Sequence, residues 1–280
     1  MKQEILNLDT AAVPAHRGRL ASTIEILPPA DVLDTLTHIN RKITTTILDP
    51  WYNKGVGGTI PKYEEWLASV VNAAANFSTH IFVWGFPEII HCVLSRLPAG
   101  FELVAWLTWY YKNCPSVIRG WRSAQNACLH LAKTGAPLYH EHFLNGAQHA
   151  LREKGKLRYI PGPANVMEVP LNIGFVGIKE QTGHPSQKPV QVFEPLILMT
   201  TQPGETVLDP MCGAGTTGVA CRNLGRNAIL CDASEDYTKI TEMRLGVQRI
   251  KATSYRSISS ETRKPSFSPS RKRLVRSHRG

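Results

Sequence analysis

The chain has 280 residues, of which 42% are hydrophobic and 19% are charged, which is ordinary for a globular protein with a sizeable core. No apolar run approaches the roughly 18–20 residues that cross a membrane, and the N-terminal segment lacks the pattern of a secretory signal. Six cysteines without a CxxC pair indicate reduced thiols. We therefore expect an intracellular protein of the cytoplasm or nucleoid, or of the nucleus in a eukaryotic host.

Most of the formal charge of +10 lies near the C-terminus. Residues 251–280 carry nine lysines and arginines against Glu261, a net charge of +8, which leaves +2 for residues 1–250. Because this Ser-, Arg- and Lys-rich segment has few apolar side chains, we predict a disordered basic tail after a folded domain. Such a tail suits DNA or RNA through counterion release, or alternatively serves only solubility.

In chain order, β-branched and apolar runs alternate with helical patterns. Strands are predicted at 22–27, 43–48, 80–85, 101–110, 126–135, 205–209 and 227–232, and helices at 29–42, 61–77, 87–97, 189–201, 215–225 and 234–250. This alternation predicts an α/β fold, with a mostly parallel sheet covered by helices on both faces. Residues 136–183 have scattered glycines and prolines, which we interpret as an irregular insertion within the domain.

Two of the predicted strands end in the same Asp-Pro pair, in LDPWYN and in LDPMCGAGTTG. Ligands bind at the carboxyl ends of strands in open α/β sheets, so we expect Asp49 and Asp209 to face one crevice. Gly213 and Gly215 let the backbone pass close to a ligand, and the following helix offers free N–H groups. Asp232 ends the next strand, where an acid binds ribose hydroxyls. The absence of GxGxxG and GKS/T motifs favours an adenosyl ligand without a pyrophosphate.

Three motifs carry a resemblance to the amino-methylating DNA methyltransferases. LDPMCGAGTTGVACRNLGRNAILCDASEDY resembles their S-adenosylmethionine-binding region, which usually reads Asp-Pro-Phe-x-Gly-Ser-Gly-Thr-Thr. HPSQKP (184–189) resembles their His-Pro-Thr-Gln-Lys-Pro segment, and LDPWYN resembles their catalytic Asp-Pro-Pro-Tyr. The catalytic motif comes first, as in the permuted β group. The resemblance implies a Rossmann-like, circularly permuted methyltransferase fold with a seven-stranded sheet, in which 136–183 is a target-recognition insertion.

The same resemblance implies S-adenosyl-L-methionine as the cofactor. The residues that would bind it are His184, Ser186, Gln187, Lys188, Asp209, Pro210, Met211, Cys212, Gly213, Gly215, Thr216, Thr217 and Asp232. Met211 replaces the usual phenylalanine, one apolar packing group for another. Gln125 and Asn126 stand where a similar segment of the family usually reads His-Glu, and we assign them no role.

Asp49, Pro50, Trp51 and Tyr52 are the predicted catalytic residues. The amino group of a base is a poor nucleophile because its lone pair is delocalised into the ring. The carboxylate of Asp49 and the carbonyl oxygen of Pro50 would accept its N–H bonds and turn the lone pair toward the methyl donor. Tyr52 or Trp51 would supply a flat face for an unstacked base. This chemistry requires no metal and no covalent nucleophile.

Asp in the catalytic motif implies N6-adenine in duplex DNA as the substrate, because the family more often uses Ser for N4-cytosine. The expected enzyme is a site-specific methyltransferase that flips its target base, of the kind found in restriction-modification systems. N4-cytosine or RNA methylation and a non-catalytic nucleic-acid-binding subunit remain alternatives, since Trp51 replaces a proline and could close the base pocket. A homodimer or an associated partner protein is also open. The predicted nucleic-acid contacts are Asn53, Lys54, Arg119 and Arg122.

Overall fold

The structure is a computed structural model that describes residues 22–52, 59–114, 117–118, 120–160 and 162–251. The strands in these ranges are β1 (Ile24–Ile26), β2 (Ile43–Leu48), β3 (Ser78–Gly85), β4 (Phe101–Tyr110), β5 (Val117–Ile118), β6 (Trp121–Arg122), β7 (Gln125–Lys133), β8 (Val166–Glu168), β9 (Thr206–Asp209) and β10 (Asn227–Leu230). The helices are α1 (Val32–Thr37), α2 (Tyr63–Ala75), α3 (Pro87–Ile90), α4 (Gly146–Glu153), α5 (Val190–Thr200), α6 (Thr216–Leu224) and α7 (Glu235–Leu245). No helix in the described ranges is long and apolar enough to cross a membrane.

Eight strands form one sheet in the order β1-β10-β9-β2-β3-β7-β4-β8. Every neighbouring pair is parallel except the two that include β7, which runs antiparallel to β3 and to β4. The predicted Rossmann-like α/β fold with a mostly parallel sheet is confirmed. A short eighth strand, β8, joins the edge beside β4 in addition to the seven that were expected.

The direction of β7 decides which strand ends meet. Because β7 is antiparallel to both of its neighbours, β4 runs in the same direction as β3. The carboxyl ends of β2, β3, β4, β9 and β10 therefore lie at one edge of the sheet, together with the amino end of β7. The sequence of β7 does not show this, because a run that is buried on both faces carries no information about strand direction.

Two hydrophobic clusters cover the two faces of the sheet. Along β3, Ile81 and Val83 belong to one cluster and Phe82 and Trp84 to the other, as the alternation of side chains along a strand requires. Helix α2 packs on the first face through Leu67, Val70 and Val71, and α5 packs on the second through Val192 and Phe193. The sheet is thus covered on both faces, as predicted.

Several predicted elements are shorter or more regular than expected. The helix expected over 87–97 is α3 followed by a 3-10 helix, His91–Arg96, in which the Ser95 hydroxyl bonds the carbonyl oxygen of Cys92 at 2.9 Å and competes with the helical pattern. The segment 136–183, expected to be irregular, contains α4, whose first turn has a capping box between Asn145 and Gln148. It also contributes β8 to the sheet.

Candidate active site

The two Asp-Pro motifs lie next to each other in the sheet. Strands β2 and β9 are parallel neighbours in which Thr45 faces Val207 and Thr46 faces Leu208. Asp209 follows Leu208 directly, and Asp49 comes three residues after Thr46, so both acids leave the sheet at the same edge. Strand β10 flanks β9 on its other side, and Asp232 follows it. The expected crevice at this edge therefore has three acids on three adjacent strands.

A cavity of about 530 Å³ lies at this edge. It is lined by all four predicted catalytic residues and by eleven of the thirteen predicted cofactor-binding residues, namely Asp49, Pro50, Trp51, Tyr52, His184, Ser186, Gln187, Lys188, Asp209, Pro210, Met211, Cys212, Gly213, Thr216 and Asp232. Gly215 and Thr217, the other two, stand outside its lining. The structure thus places both predicted sets around one space.

The side chain of Lys188 contacts the carboxylate of Asp49. Its ammonium donates to Asp49 Oδ1 at 2.5 Å, to Asp49 Oδ2, and to the hydroxyl oxygen of Tyr52 at 2.5 Å. Only 4% of the Lys188 side chain is exposed, against 20% for Asp49, so this ion pair is largely withdrawn from water. A buried pair of this kind holds its partners in one geometry because leaving either charge alone is costly. The predicted cofactor segment therefore reaches the predicted catalytic acid itself.

Tyr52 joins Asp49 to Asn126, a residue to which the sequence analysis assigned no role. The Tyr52 hydroxyl donates to Asp49 Oδ1 at 3.0 Å and accepts from the amide of Asn126 at 3.1 Å. Burial and the nearby carboxylate of Asp49 raise the pKa of Tyr52 well above its ordinary value, so the hydroxyl remains a donor. The Tyr52 ring also meets Phe86 edge-on, with ring centroids 5.0 Å apart. Tyr52 is therefore fixed by both its hydroxyl and its ring.

Trp51 lies at the rim of the cavity with 42% of its surface exposed. Its backbone oxygen accepts a hydrogen bond from the hydroxyl of Tyr63 at 2.6 Å, which anchors the loop after β2 to the start of α2. Burial is the largest of the effects that raise the pKa of Tyr63, so this hydroxyl also stays protonated. The tryptophan that replaces the family's usual proline thus borders the cavity, and its backbone is held by a neighbouring helix.

Asp209 supports the glycine-rich loop from beneath. Its carboxylate accepts from the Thr217 hydroxyl at 2.5 Å and from the Met211 amide at 3.1 Å, and the residue is only 3% exposed. Burial raises the pKa of Asp209 to about 7, against the two hydrogen bonds that favour its charged form. Thr217 thus acts on the loop through Asp209. Burial likewise raises the pKa of the Cys212 thiol well above its ordinary value, so this cysteine is a neutral packing group.

The loop needs glycine at two positions where the backbone is left-handed. The φ angles of Gly213 and Gly215 are 50° and 71°. A Cβ on Gly213 would lie 3.0 Å from the ring of His184, and one on Gly215 would lie 2.8 Å from Thr241. The glycines therefore let the loop pass close to HPSQKP on one side and to α7 on the other.

Asp232 and His184 shape the other side of the cavity. The carboxylate of Asp232 accepts from the backbone amides of Gly213 and Ser234, each at 2.9 Å. Each carboxylate oxygen has a second lone pair, which a ribose hydroxyl can use. The ring of His184 packs edge-on against Tyr237, with centroids 4.2 Å apart, and burial lowers its pKa. A neutral ring accepts from the amide of Ser186 at 3.2 Å.

This arrangement fits an adenosyl ligand. The glycines provide a close approach of the backbone, Asp232 provides hydroxyl acceptors, and Met211 and the neutral Cys212 provide an apolar wall. The comparison with known families agrees. The sequence profile of the DNA methylase family, which covers N6 and N4 methylases, matches residues 44–243. The chain belongs to this family of DNA methylases. S-adenosylmethionine is the cofactor of this methylase.

Relatives of the methylase are methyltransferases of bacteria. The chain is 28% identical over 219 residues to the type II methyltransferase M.HpaI of Haemophilus parainfluenzae, covering 73% of this chain and 68% of that protein. It is 36% identical over 107 residues to the DNA adenine methyltransferase YhdJ of Escherichia coli (strain K12), covering 36% of each chain. The chain therefore spans about two thirds of the first relative and about a third of the second.

Solved structures show the same fold. The M1.HpyAVI-SAM complex has a TM-score of 0.62 and 23% identity, with 80% of this chain and 100% of that chain covered. The PvuII DNA methyltransferase (cytosine-N4-specific) has a TM-score of 0.59 and 16% identity, with 86% and 93% covered. At these identities the likeness establishes the fold of the methylase and not its target base.

The predicted nucleic-acid contacts stay predictions. Asn53, Lys54, Arg119 and the basic tail after residue 251 lie outside the described residues, and Arg122 is exposed on β6. Within the described ranges, no group of three or more His, Cys, Asp and Glu side chains is placed to hold a metal ion. Besides Asn126, the sequence did not indicate Tyr63, Phe86 or Tyr237, which contact site residues from distant elements. The one available signal was the position of Asn126 in a segment that resembles the family.

Proposed function

We propose that this methylase transfers a methyl group from S-adenosylmethionine to the N6 amino group of an adenine in duplex DNA. The observation that carries the proposal is the shared cavity at the ends of β2 and β9. Asp49 and Pro50 border the same space as Met211, Gly213 and Asp232. Because β2 and β9 are hydrogen-bonded neighbours, acceptors for an amino group lie directly beside a cradle for the cofactor.

Asp49 and Pro50 orient the amino group. Each carboxylate oxygen has two lone pairs, so Asp49 can accept one N–H of the base while the ammonium of Lys188 remains in contact with it. The carbonyl oxygen of Pro50 accepts the other N–H. With both hydrogens held, the lone pair of the nitrogen points away from the ring plane. Positioning of this kind accounts for most of the rate in a direct displacement.

Lys188 and Tyr52 hold the carboxylate of Asp49 in place. The ammonium and the hydroxyl contact the same carboxylate, and Asn126 fixes the hydroxyl from behind. The carboxylate therefore cannot rotate freely when a base arrives. A fixed acceptor costs no reorganisation during the reaction, which is how enzymes make electrostatic contacts effective.

The bound cofactor supplies a methyl group on a positively charged sulfur. On receiving that methyl group, the amino nitrogen of the base would become positively charged. The nitrogen then loses one proton. The carboxylate of Asp49 already accepts a hydrogen bond from that N–H, so it is the group placed to take the proton and pass it to water.

The target base lies unstacked against Trp51 in this proposal. Trp51 is 42% exposed at the rim of the cavity, whereas the Tyr52 ring is engaged by Phe86 and its hydroxyl by Asp49. Base stacking on an aromatic face contributes about 1–3 kcal/mol and does not depend strongly on the base. Trp51 would therefore hold the base, while Tyr52 would fix the carboxylate.

Adenine is favoured over cytosine by the acid in the first Asp-Pro motif and by the adenine-methylating relative YhdJ. N4-cytosine is the second candidate, because the matching family profile covers both kinds of methylase. The two are separated by incubating the purified chain with labelled S-adenosylmethionine and with duplex DNA or RNA in parallel. The polymers are then digested to nucleosides, and the methylated nucleosides are identified by mass.

N6-methyladenine from DNA is the expected product. N4-methylcytosine as the product would show that cytosine is the target base. Methylated product from RNA alone would show that RNA, and not DNA, is the substrate. No product from either polymer would overturn the proposal and favour a binding subunit without activity. The control is Asp49→Ala, which should give at least about 100-fold less product under the same conditions.

A further inference from the structure

A short apolar turn lies between β8 and the HPSQKP segment. Its residues Ile173, Phe175, Val176 and Ile178 are 42%, 95%, 38% and 62% exposed, and we call these four the apolar turn. A phenylalanine that is 95% exposed gains nothing from burial in the isolated chain. Contiguous exposed apolar side chains of this kind mark a surface that meets a partner.

The apolar turn is firmly built. The side-chain amide of Gln181 donates to the carbonyl oxygens of Gly174 and Val176 at 3.0 and 2.7 Å. The amide of Asn172 donates to the carboxylate of Glu180 at 2.5 Å across the base of the turn. The exposed phenylalanine is thus presented by a hydrogen-bonded frame.

Glycine is required inside that frame. A Cβ on Gly177 would lie 2.2 Å from the side-chain oxygen of Asn172, and the φ of Gly177 is 63°. A side chain at this position would displace Asn172 and strain the left-handed backbone, so glycine favours the compact turn. The turn is therefore a specific structure rather than a featureless connection.

The apolar turn lies at the same edge of the sheet as Asp49. It follows the carboxyl end of β8, which is parallel to β4, and Leu171 is bonded to Asn113 beyond the end of β4. On its other side, Glu180 accepts from the backbone amide of Val190 at the start of α5, and the Gln187 side chain donates to the Glu180 carbonyl oxygen. The turn is tied directly to the segment that carries Lys188.

The charges of the turn suit a polyanion. Glu180 directs its carboxylate inward, to Asn172, to Val190 and, at 3.7 Å, to the guanidinium of Arg244. Lys179, next to it, is exposed. The charge that the turn offers to the outside is therefore positive, next to an exposed aromatic side chain. Phosphates and stacked bases are recognised by this combination.

We propose that Phe175 is a wedge that enters the base stack of duplex DNA beside the target adenine, with Lys179 on the adjacent phosphate. The inference rests on the proposed function, because a base that reaches Asp49 must first leave the helix. A side chain inserted into the stack occupies the gap and keeps the flipped base from returning. In this proposal the apolar turn, which lies outside the cavity, contacts the duplex DNA.

The test uses the full chain and a site mapped by sequencing of the DNA that it methylates. Initial rates are measured on two duplexes that differ only opposite the target adenine, which faces thymine in one and an abasic residue in the other. A base without a partner costs less to flip. The variants are Phe175→Ala, Phe175→Trp, which keeps a wedge, and Met243→Ala, which removes an exposed apolar side chain from α7, 76% exposed in the parent.

Phe175→Ala should lower the rate on the fully paired duplex by about 10-fold or more and change the rate on the abasic duplex by less than about 3-fold. The initial rates of Phe175→Trp and Met243→Ala should remain close to those of the parent on both duplexes. An equal loss by Phe175→Ala on both duplexes, or no loss on either, would overturn the wedge. Conversion of a dimeric parent into a monomer by Phe175→Ala in sedimentation, without the selective loss, would assign the turn to contacts between copies.

A failure of the proposed function gives a different result. In that case the unchanged chain would place no methyl group on adenine in any DNA, no site could be mapped, and the wedge would fall with it. If the parent methylates adenine while Phe175→Ala shows no selective loss, only the wedge is wrong.

Discussion

The ammonium of Lys188 contacts both carboxylate oxygens of Asp49, although 139 residues separate the two in the sequence. The contact joins the segment predicted to bind the cofactor to the acid predicted to bind the substrate. Because Lys188 is 4% exposed and Asp49 20% exposed, the pair is a buried element of the site, and removal of one partner alone would leave the other charge without compensation.

Removal of the Lys188 ammonium should lower the free energy of unfolding, and the loss should be smaller when the Asp49 carboxylate is removed with it. Lys188→Met should lower the free energy of unfolding by about 3 kcal/mol, since it leaves a partly buried carboxylate without its cation. In Lys188→Met combined with Asp49→Asn the loss should be smaller, with a coupling energy of about 1–3 kcal/mol in the double-mutant cycle. Urea unfolding of the four chains measures this directly.

Lys239 supplies the matched control for that cycle. Its ammonium pairs with Glu235 at 3.7 Å on the surface, and both side chains are more than half exposed. Lys239→Met should change the free energy of unfolding by less than about 1 kcal/mol. Equal losses of unfolding free energy in Lys188→Met and Lys239→Met would show that the pair at Asp49 stabilises the fold no more than a surface ion pair does.

The glycine loop should be sensitive at Gly213 for a reason other than backbone strain. Gly213→Ala places a Cβ 3.0 Å from His184 at a φ of 50°, whereas Gly204→Ala meets nothing within 4 Å at a φ of 82°. Both variants should lose about 1–2 kcal/mol of stability from the left-handed backbone. Only Gly213→Ala should weaken the binding of S-adenosylhomocysteine, by about 10-fold or more, which corresponds to about 1.4 kcal/mol. Titration calorimetry measures the two affinities. Equal affinities of Gly213→Ala and Gly204→Ala for S-adenosylhomocysteine would contradict this role of Gly213.

Two buried histidines on the neighbouring strands β3 and β7 should make the folded state less stable in acid. Nδ1 of His80 lies 3.2 Å from Nε2 of His130, and both residues are buried. Burial lowers the pKa of His80 to about 4 and that of His130 to about 3, from an ordinary 6.5. The unfolded chain therefore binds protons between about pH 6.5 and pH 4 that the folded chain does not, so stability is present above pH 6.5 and is lost as the pH falls.

His130→Phe isolates that contribution, because the new ring can keep the stacking on Phe82, whose centroid lies 4.4 Å from that of His130. Between pH 7 and pH 5 the parent should lose about 1–2 kcal/mol more unfolding free energy than the variant. Urea midpoints at several pH values supply the comparison. Parallel pH curves for the two chains would show that His130 does not carry the effect.

The basic tail should act on affinity and leave turnover unchanged. Deleting residues 251–280 removes nine lysines and arginines. The affinity for long duplex DNA should fall, and the slope of log K against log salt should become shallower, because fewer counterions are released. Replacing the same basic residues by glutamine keeps the length and should have the same effect. Unchanged affinity at low salt in both variants would leave the tail with a solubilising role.

The α/β pattern was sufficient to predict that Asp49 and Asp209 face one crevice, because both follow parallel strands and the carboxyl ends of such strands share an edge. The identity of their contacts was not accessible in the same way. Lys188 reaches Asp49 across 139 residues and Asn126 reaches Tyr52 across 74, and no local periodicity reports on such pairs. The short edge strand β8 was missed for a related reason, since three residues that gain their order from pairing with β4 have little signal of their own.

The proposed role of Asp49 is tested most directly by single-turnover methyl transfer to adenine in DNA, with cofactor affinity measured on the same preparations. Asp49→Ala should lower the rate by about 10²–10⁴-fold, as expected for loss of a positioned acceptor of a proton. Asp49→Asn, which keeps one acceptor oxygen, should be less affected, and cofactor affinity should change little in either variant. Methylation of adenine by Asp49→Ala at the parent rate would contradict the account.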